Sequence, residues 1–169
     1  FCHTNEIWIR NGVRVNQKKK HKKYGGNIFE KCLDMCRISP SSTIIHKSVF
    51  NNIGFFDESL RVCEDYDLWL RITSKYKILY LDQLLIMKYG GHADQLSKVD
   101  DGIEKYRIKS LKKILTSTSL NKTQYNHARI ALIRKLKIYA NGLQKRKKLH
   151  ELTKINNLIQ DWINISKFR

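Results

Sequence analysis

From about residue 101 onward the apolar residues of this chain step only by three and four. Ile103, Tyr106, Leu111, Ile114 and Leu115 form one such series, Tyr125, Ala128, Leu132, Leu136, Tyr139 and Leu143 a second, and Leu152, Ile155, Leu158, Ile159 and Trp162 a third. That spacing puts one apolar stripe on each of three helices and leaves no alternating pattern for a strand. The charge changes at the same place. Residues 1–101 hold 16 Lys/Arg against 12 Asp/Glu, whereas residues 102–169 hold 17 against 3. The chain is therefore expected to be an ordinary domain over 1–100 followed by a basic helical region over 101–169. The basic part implies an anionic partner or a solvated helical face.

The first hundred residues carry mixed signals. EIWIR and VRVN flank Asn11-Gly12, and Asn-Gly between two such runs predicts a hairpin, because both central positions of a type I′ turn need positive φ. QKKKHKK, residues 17–23, reads as a basic loop. Gly25-Gly26 opens a helical pattern lined by Ile28, Phe29, Cys32, Leu33 and Cys36, and Pro40, the only proline, stops it. SSTIIHK reads as a strand. Ser48 is the expected cap of a short helix, SVFNNI, which Gly54 ends. KILYL and LLIMKY read as two strands closed by Gly90-Gly91-His92. The fold class is thus α/β with mixed strands, then a C-terminal helical appendage. The four cysteines form no CxxC pair, which fits a reducing, cytoplasmic setting. No apolar run reaches membrane-spanning length. Phe1 in place of Met suggests a piece of something longer or a processed product.

The stretch VCEDYDLWLRI, residues 62–72, sets three carboxylates, Glu64, Asp65 and Asp67, in front of an apolar helix. Acids in a first turn favour the positive end of the helix dipole. Asp67 and Arg71, four apart, can pair, as a weak surface pair of about 0.3–0.5 kcal/mol. Asp65 fits neither account, since it shares a stripe with Trp69 and Ile72 and so faces inward. An inward carboxylate needs a partner or a chemical task.

Taken together, SPSSTIIHKSVFNNIGFFDESLRVCEDYDLWLRI and KILYLDQLLIMKYGGHADQLS resemble the acceptor-side portion of a family 2 glycosyltransferase of the GT-A (Rossmann-like) fold. The resemblance covers roughly residues 38–98 well and extends to 1–37 as the segment leading in. It implies inverting transfer of a sugar from a nucleotide-sugar donor to a glycan or lipid-linked acceptor, in cell-envelope polysaccharide or glycolipid synthesis. It assigns Asp65 as the base that takes the acceptor's proton. Glu64, Gly54, Asp57 and Glu58 fall on the acceptor wall, although turn chemistry is an equal account of Asp57. His92 falls where a ligand to a divalent Mn²⁺ or Mg²⁺ is expected, an ordinary loop residue being the alternative. The family's Asp-x-Asp metal motif does not precede residue 38, so the chain is expected to lack the nucleotide-binding half and to be inactive alone. The implied location is cytoplasmic, peripheral on the inner face of the membrane, with the basic helices on anionic lipid. The rival from another class is a non-catalytic module on nucleic acid or an anionic surface. Nucleic acid is the less favoured of the two partners, because no helix-turn-helix, zinc-finger or RNA-binding aromatic motif is present.

Overall fold

A computed structural model of the chain describes residues 1–91, 102–117 and 120–165. The chain divides into two compact units, Phe1–Asp100 and Asp101–Arg169. The described residues form four strands and six α-helices, the mixed α/β arrangement with C-terminal helices that the sequence predicts.

The first unit is built on β1 (Cys2–Arg10). It turns at Asn11 and Gly12, with φ values of 49° and 78°, into β2 (Val13–Val15). The antiparallel register pairs Trp8 with Val15 and Arg10 with Val13, so the Asn-Gly hairpin forms as expected. β3 is only Thr43–Ile44 and pairs with the start of β1, much shorter than the strand expected of SSTIIHK. On the other side of β1 lies β4, Leu79–Gly90, parallel to it along its whole length. KILYL and LLIMKY are thus one strand. The register jumps from Thr4↔Leu81 to Asn5↔Leu84 and then to Glu6↔Ile86. The polar Asp82-Gln83 that separates the two apolar runs is extra length bulged out of the ladder, not a turn.

Three helices cover this sheet's residues. α1 (Phe29–Leu33) is one short turn and a half and leaves Cys36 beyond its end. Gly25 and Gly26 lie against β4, with Gly26 exchanging two backbone hydrogen bonds with Ile78. At Gly25 a Cβ would sit 3.0 Å from that of Tyr80, a close approach that only glycine permits. α2 (Lys47–Ile53) is capped by the His46 side chain, which accepts from the Ser48 N–H. Ser48 therefore receives the cap and does not supply it. Gly54, at φ 85°, ends the helix.

α3 (Glu64–Lys75) is the core element. Tyr66, Leu68, Trp69, Leu70 and Ile72 are all 0–1% exposed, so the helix is enclosed on nearly every side. Tyr66 donates its hydroxyl to the Leu33 carbonyl at 2.6 Å, and the Trp69 indole N–H donates to the Ile38 carbonyl at 2.9 Å. Each large aromatic therefore buries its ring and still satisfies its polar end. Such a residue stabilises a core by about 3–5 kcal/mol, judged by the cost of truncating one.

The second unit is α4 (Ile103–Thr116), α5 (Lys122–Lys145) and α6 (Leu149–Asn164). The expected stripes meet there, with Leu111, Leu132, Leu136 and Leu143 fully buried. Asn121 and Gln124 form a reciprocal capping box at the start of α5. Lys135 is buried against Glu104, 3.3 Å away. No helix among the described residues is long and apolar enough to cross a membrane.

Candidate functional site

The acidic start of α3 is entered through Cys63, a non-glycine residue in the left-handed region at φ 64° and ψ 19°. That conformation costs about 1–2 kcal/mol for an L-residue. It reverses the chain sharply, so that the loop from Gly54 to Val62 runs directly into the carboxylates. Nothing in the spacing of the sequence signals it.

The three acids divide in role. Asp67 is 2% exposed and lies 2.9 Å from the Arg71 guanidinium. Arg71 also donates to the carbonyls of Ile53 and Phe55, each at 2.8 Å. The pair expected to lie weakly on the surface is instead a buried clamp that ties the loop around Gly54 to α3. The i, i+4 spacing correctly predicts the pairing but carries no information on burial.

Asp65 is half-buried. Its Oδ2 accepts from the Cys36 thiol at 3.1 Å, and its Oδ1 accepts from the Tyr66 N–H at 2.6 Å. Burial, reinforced by the Asp65 charge, pushes the Cys36 thiol well above its usual range, so Cys36 stays a protonated donor. A thiol is a weak donor. Asp65 therefore faces no cation comparable to the one that neutralises Asp67, and its carboxylate keeps the capacity to accept a proton.

Glu64 is half-buried beside it. Asp57 spends one oxygen on the Ser59 N–H at 3.0 Å, and its carbonyl accepts from Leu60. This is the turn chemistry weighed as its alternative, and it leaves the second carboxylate oxygen for other use. Glu58 is exposed on the same loop. The structure thus joins Gly54 to α3 through Arg71 and places Asp57 and Glu58 in the loop between them. His92 lies outside the described residues. Among the described residues no group of three or more His, Cys, Asp or Glu side chains could hold a metal ion.

A second polar centre has no counterpart in the sequence reading. Glu6 and Lys23 are 2% and 5% exposed and pair at 3.0 Å. The Lys23 ammonium also donates to the Thr4 carbonyl at 2.9 Å and to the Ser42 hydroxyl at 3.1 Å, which uses all three of its protons. The other Glu6 oxygen accepts from the Trp8 indole at 2.7 Å and from Ser39 at 2.9 Å. Burial alone would raise the Glu6 pKa, but these hydrogen bonds and the charges of Lys23 and Lys88 hold it below the usual value. Lys23 belongs to a run that reads as a solvated loop. Its partner lies 17 positions away, and only the folded hairpin brings them together.

Comparison with known proteins adds one relation. A stretch of 57 residues, 34% of this chain, is 37% identical to part of an uncharacterized glycosyltransferase of Rickettsia bellii (strain RML369-C) and covers 8% of that protein. A similar stretch is 35% identical to an uncharacterized glycosyltransferase of Rickettsia felis (strain ATCC VR-1525 / URRWXCal2), covering 9% of it. No family model matches the chain, and no solved structure matches it. The chain spans less than a tenth of the length of these curated relatives, and over that stretch it is related to glycosyltransferases.

Proposed function

We propose that the chain supplies the acceptor side of an inverting family 2 glycosyltransferase of the GT-A fold, with Asp65 as its catalytic base. The supporting observation is the division of labour at the start of α3. Asp67 is neutralised by Arg71, while Asp65 is held by a protonated thiol and a backbone N–H. In the proposed step an acceptor hydroxyl oxygen attacks the anomeric carbon of a nucleotide-sugar. The new C–O bond forms as the bond to the diphosphate oxygen breaks. The hydroxyl proton passes to an Asp65 oxygen, and the nucleoside diphosphate leaves with the bonding electron pair. Glu64, Gly54, Asp57 and Glu58 form the wall on which the acceptor lies. A divalent ion would stabilise the leaving diphosphate in such enzymes. The described residues offer no site for one, so no step is assigned to it here.

The acceptor is a glycan or a lipid-linked sugar at the inner face of the membrane. The second unit supports this location, since Ile130, Ile138, Leu149 and Ile163 are exposed on helices rich in Lys and Arg. A product assay over a panel of nucleotide sugars tests the assignment, run on the chain carried in a protein that supplies nucleotide-binding strands. Asp65→Asn keeps size and most hydrogen bonding but removes the base, so the rate should fall by roughly 10²–10⁴ with the melting temperature unchanged. An undiminished rate would show that another group takes the proton. Turnover by the 169 residues alone would overturn the acceptor-half reading.

A further inference from the structure

Between the hairpin and the turn at Lys18–His21 lies a concave pocket of about 290 Å³. Its lining includes Trp8, Arg10, Asn16, Lys18, Lys20 and His21, and no lining residue is acidic. Two features separate it from an ordinary lysine-covered surface.

The first is a fixed aromatic wall. The Trp8 indole N–H is tied to Glu6 at 2.7 Å, which sets the ring's orientation. The His21 ring stands edge-on to it, with centroids 4.9 Å apart. The Arg10 guanidinium and the Lys88 ammonium each lie 6.0 Å from its centroid. The second feature is positive charge without local compensation. The nearest carboxylate described above, Glu6, is already neutralised by Lys23 at 3.0 Å. Arg10, Lys18 and Lys20 are left exposed, and burial together with the charges of Lys20, Arg37, Lys18 and Lys88 holds the His21 pKa below its usual value.

We infer that this pocket binds a diphosphate group, with Arg10, Lys18 and Lys20 on its oxygens, Asn16 as a neutral donor and the Trp8 face against the group it carries. Size sets the ligand class. Pockets for whole drug-sized ligands begin at about 300 Å³, so this one holds a diphosphate and the first part of its substituent but not a complete nucleotide-sugar. Charge sets the sign, since Arg and Lys hydrogen bonds to phosphate oxygens are charge-assisted. The inference does not depend on the role of Asp65.

The test is a titration of the whole chain with inorganic pyrophosphate at physiological salt, following the Trp8 indole ¹H–¹⁵N resonance. A saturable shift is expected. Arg10→Ala and Lys20→Ala should each weaken binding by roughly 10–100-fold, as for loss of one charged hydrogen bond. Lys145→Ala with Lys148→Ala, which removes two charges from the second unit, should leave it unchanged. A non-saturable response, an unmoved Trp8 resonance, or equal weakening by the control pair would overturn the site in favour of general attraction to a basic protein. Two further arms identify the source of the diphosphate. Tighter binding of a nucleoside diphosphate than of pyrophosphate assigns the site to a soluble nucleotide, and tighter binding of a prenyl diphosphate assigns it to a lipid-linked one. Weaker binding of both would overturn the inference that the group arrives as a diphosphate ester.

Discussion

Replacing Asp67 with alanine would leave the Arg71 guanidinium against α3 with its charge uncompensated. Two contacts are lost, Arg71 Nε and Nη2 to Asp67 Oδ2, both 2.9 Å. Removing one partner of a fully buried pair costs about 3–5 kcal/mol. The Arg71 side chain keeps 15% of its exposure, so water can reach part of it and the cost falls to about 2–4 kcal/mol. For a unit of this size each kcal/mol lowers the melting temperature by about 4–8 °C. The expected fall is therefore on the order of 10–25 °C, or about 1–2 M in the urea midpoint at unchanged slope. Arg71 also holds the carbonyls of Ile53 and Phe55, so amide exchange around Gly54 should quicken in the same variant. Urea denaturation of Asp67→Ala, Arg71→Ala and the double variant measures this. The double variant should cost clearly less than the sum of the singles, because it leaves no orphaned charge. A loss below about 0.5 kcal/mol for Asp67→Ala, the range of an exposed pair, would refute the clamp.

His3 makes the first unit sensitive to acid. It is fully buried, its Nε2 lies 2.8 Å from the Tyr24 carbonyl, and its Nδ1 has no hydrogen-bond partner among the described residues. Burial lowers its pKa below 6.5, so the unfolded chain binds the proton first. Stability should fall as the pH drops below 6.5 until the folded-state pKa is passed, by up to about 1.4 kcal/mol per pH unit. Urea midpoints between pH 7.5 and 5 should show this slope in the wild type and lose most of it in His3→Gln; an equal slope in both would assign it elsewhere. For the second unit, co-sedimentation with anionic vesicles should be strong at low salt and weak at high salt. Equal recovery with neutral vesicles would remove the membrane surface as a partner.

What the sequence could disclose depended on whether the governing contact was local. The hairpin at Asn11-Gly12 and the three tail helices follow from φ requirements and apolar spacing within a few residues, and all formed. The pairing of Asp67 with Arg71 was legible for the same reason. Its burial was not, because burial is decided by the loop around Gly54 that folds over it. β4 was mistaken for two strands because a bulge and a turn both place polar residues between apolar runs, and only the partner strand distinguishes them. The Glu6–Lys23 centre was invisible because a lysine within a basic run has the same local pattern whether it is solvated or buried. Cys36 could be taken only for a core residue, since its contact with Asp65 spans 29 positions.

The parallel pairing of β1 with β4 also bears on how quickly each unit can fold. It joins Cys2 to Leu79 and Arg10 to Gly90, so the central ladder closes only after the whole intervening chain has been gathered. Closing a loop of that length costs about 2 kcal/mol more in entropy than closing one of ten residues. None of the ladder's hydrogen bonds can offset that cost in advance. The tail helices meet through neighbours in sequence and belong with the folds that form in microseconds to milliseconds, while non-local sheets take milliseconds to seconds. During that interval the Leu79, Leu85, Met87 and Tyr89 side chains, which stay exposed even in the native state, are carried by a strand with neither edge paired. The first unit is thus the slow and aggregation-exposed part of the chain, and its yield on refolding is set by protein concentration more than by final stability.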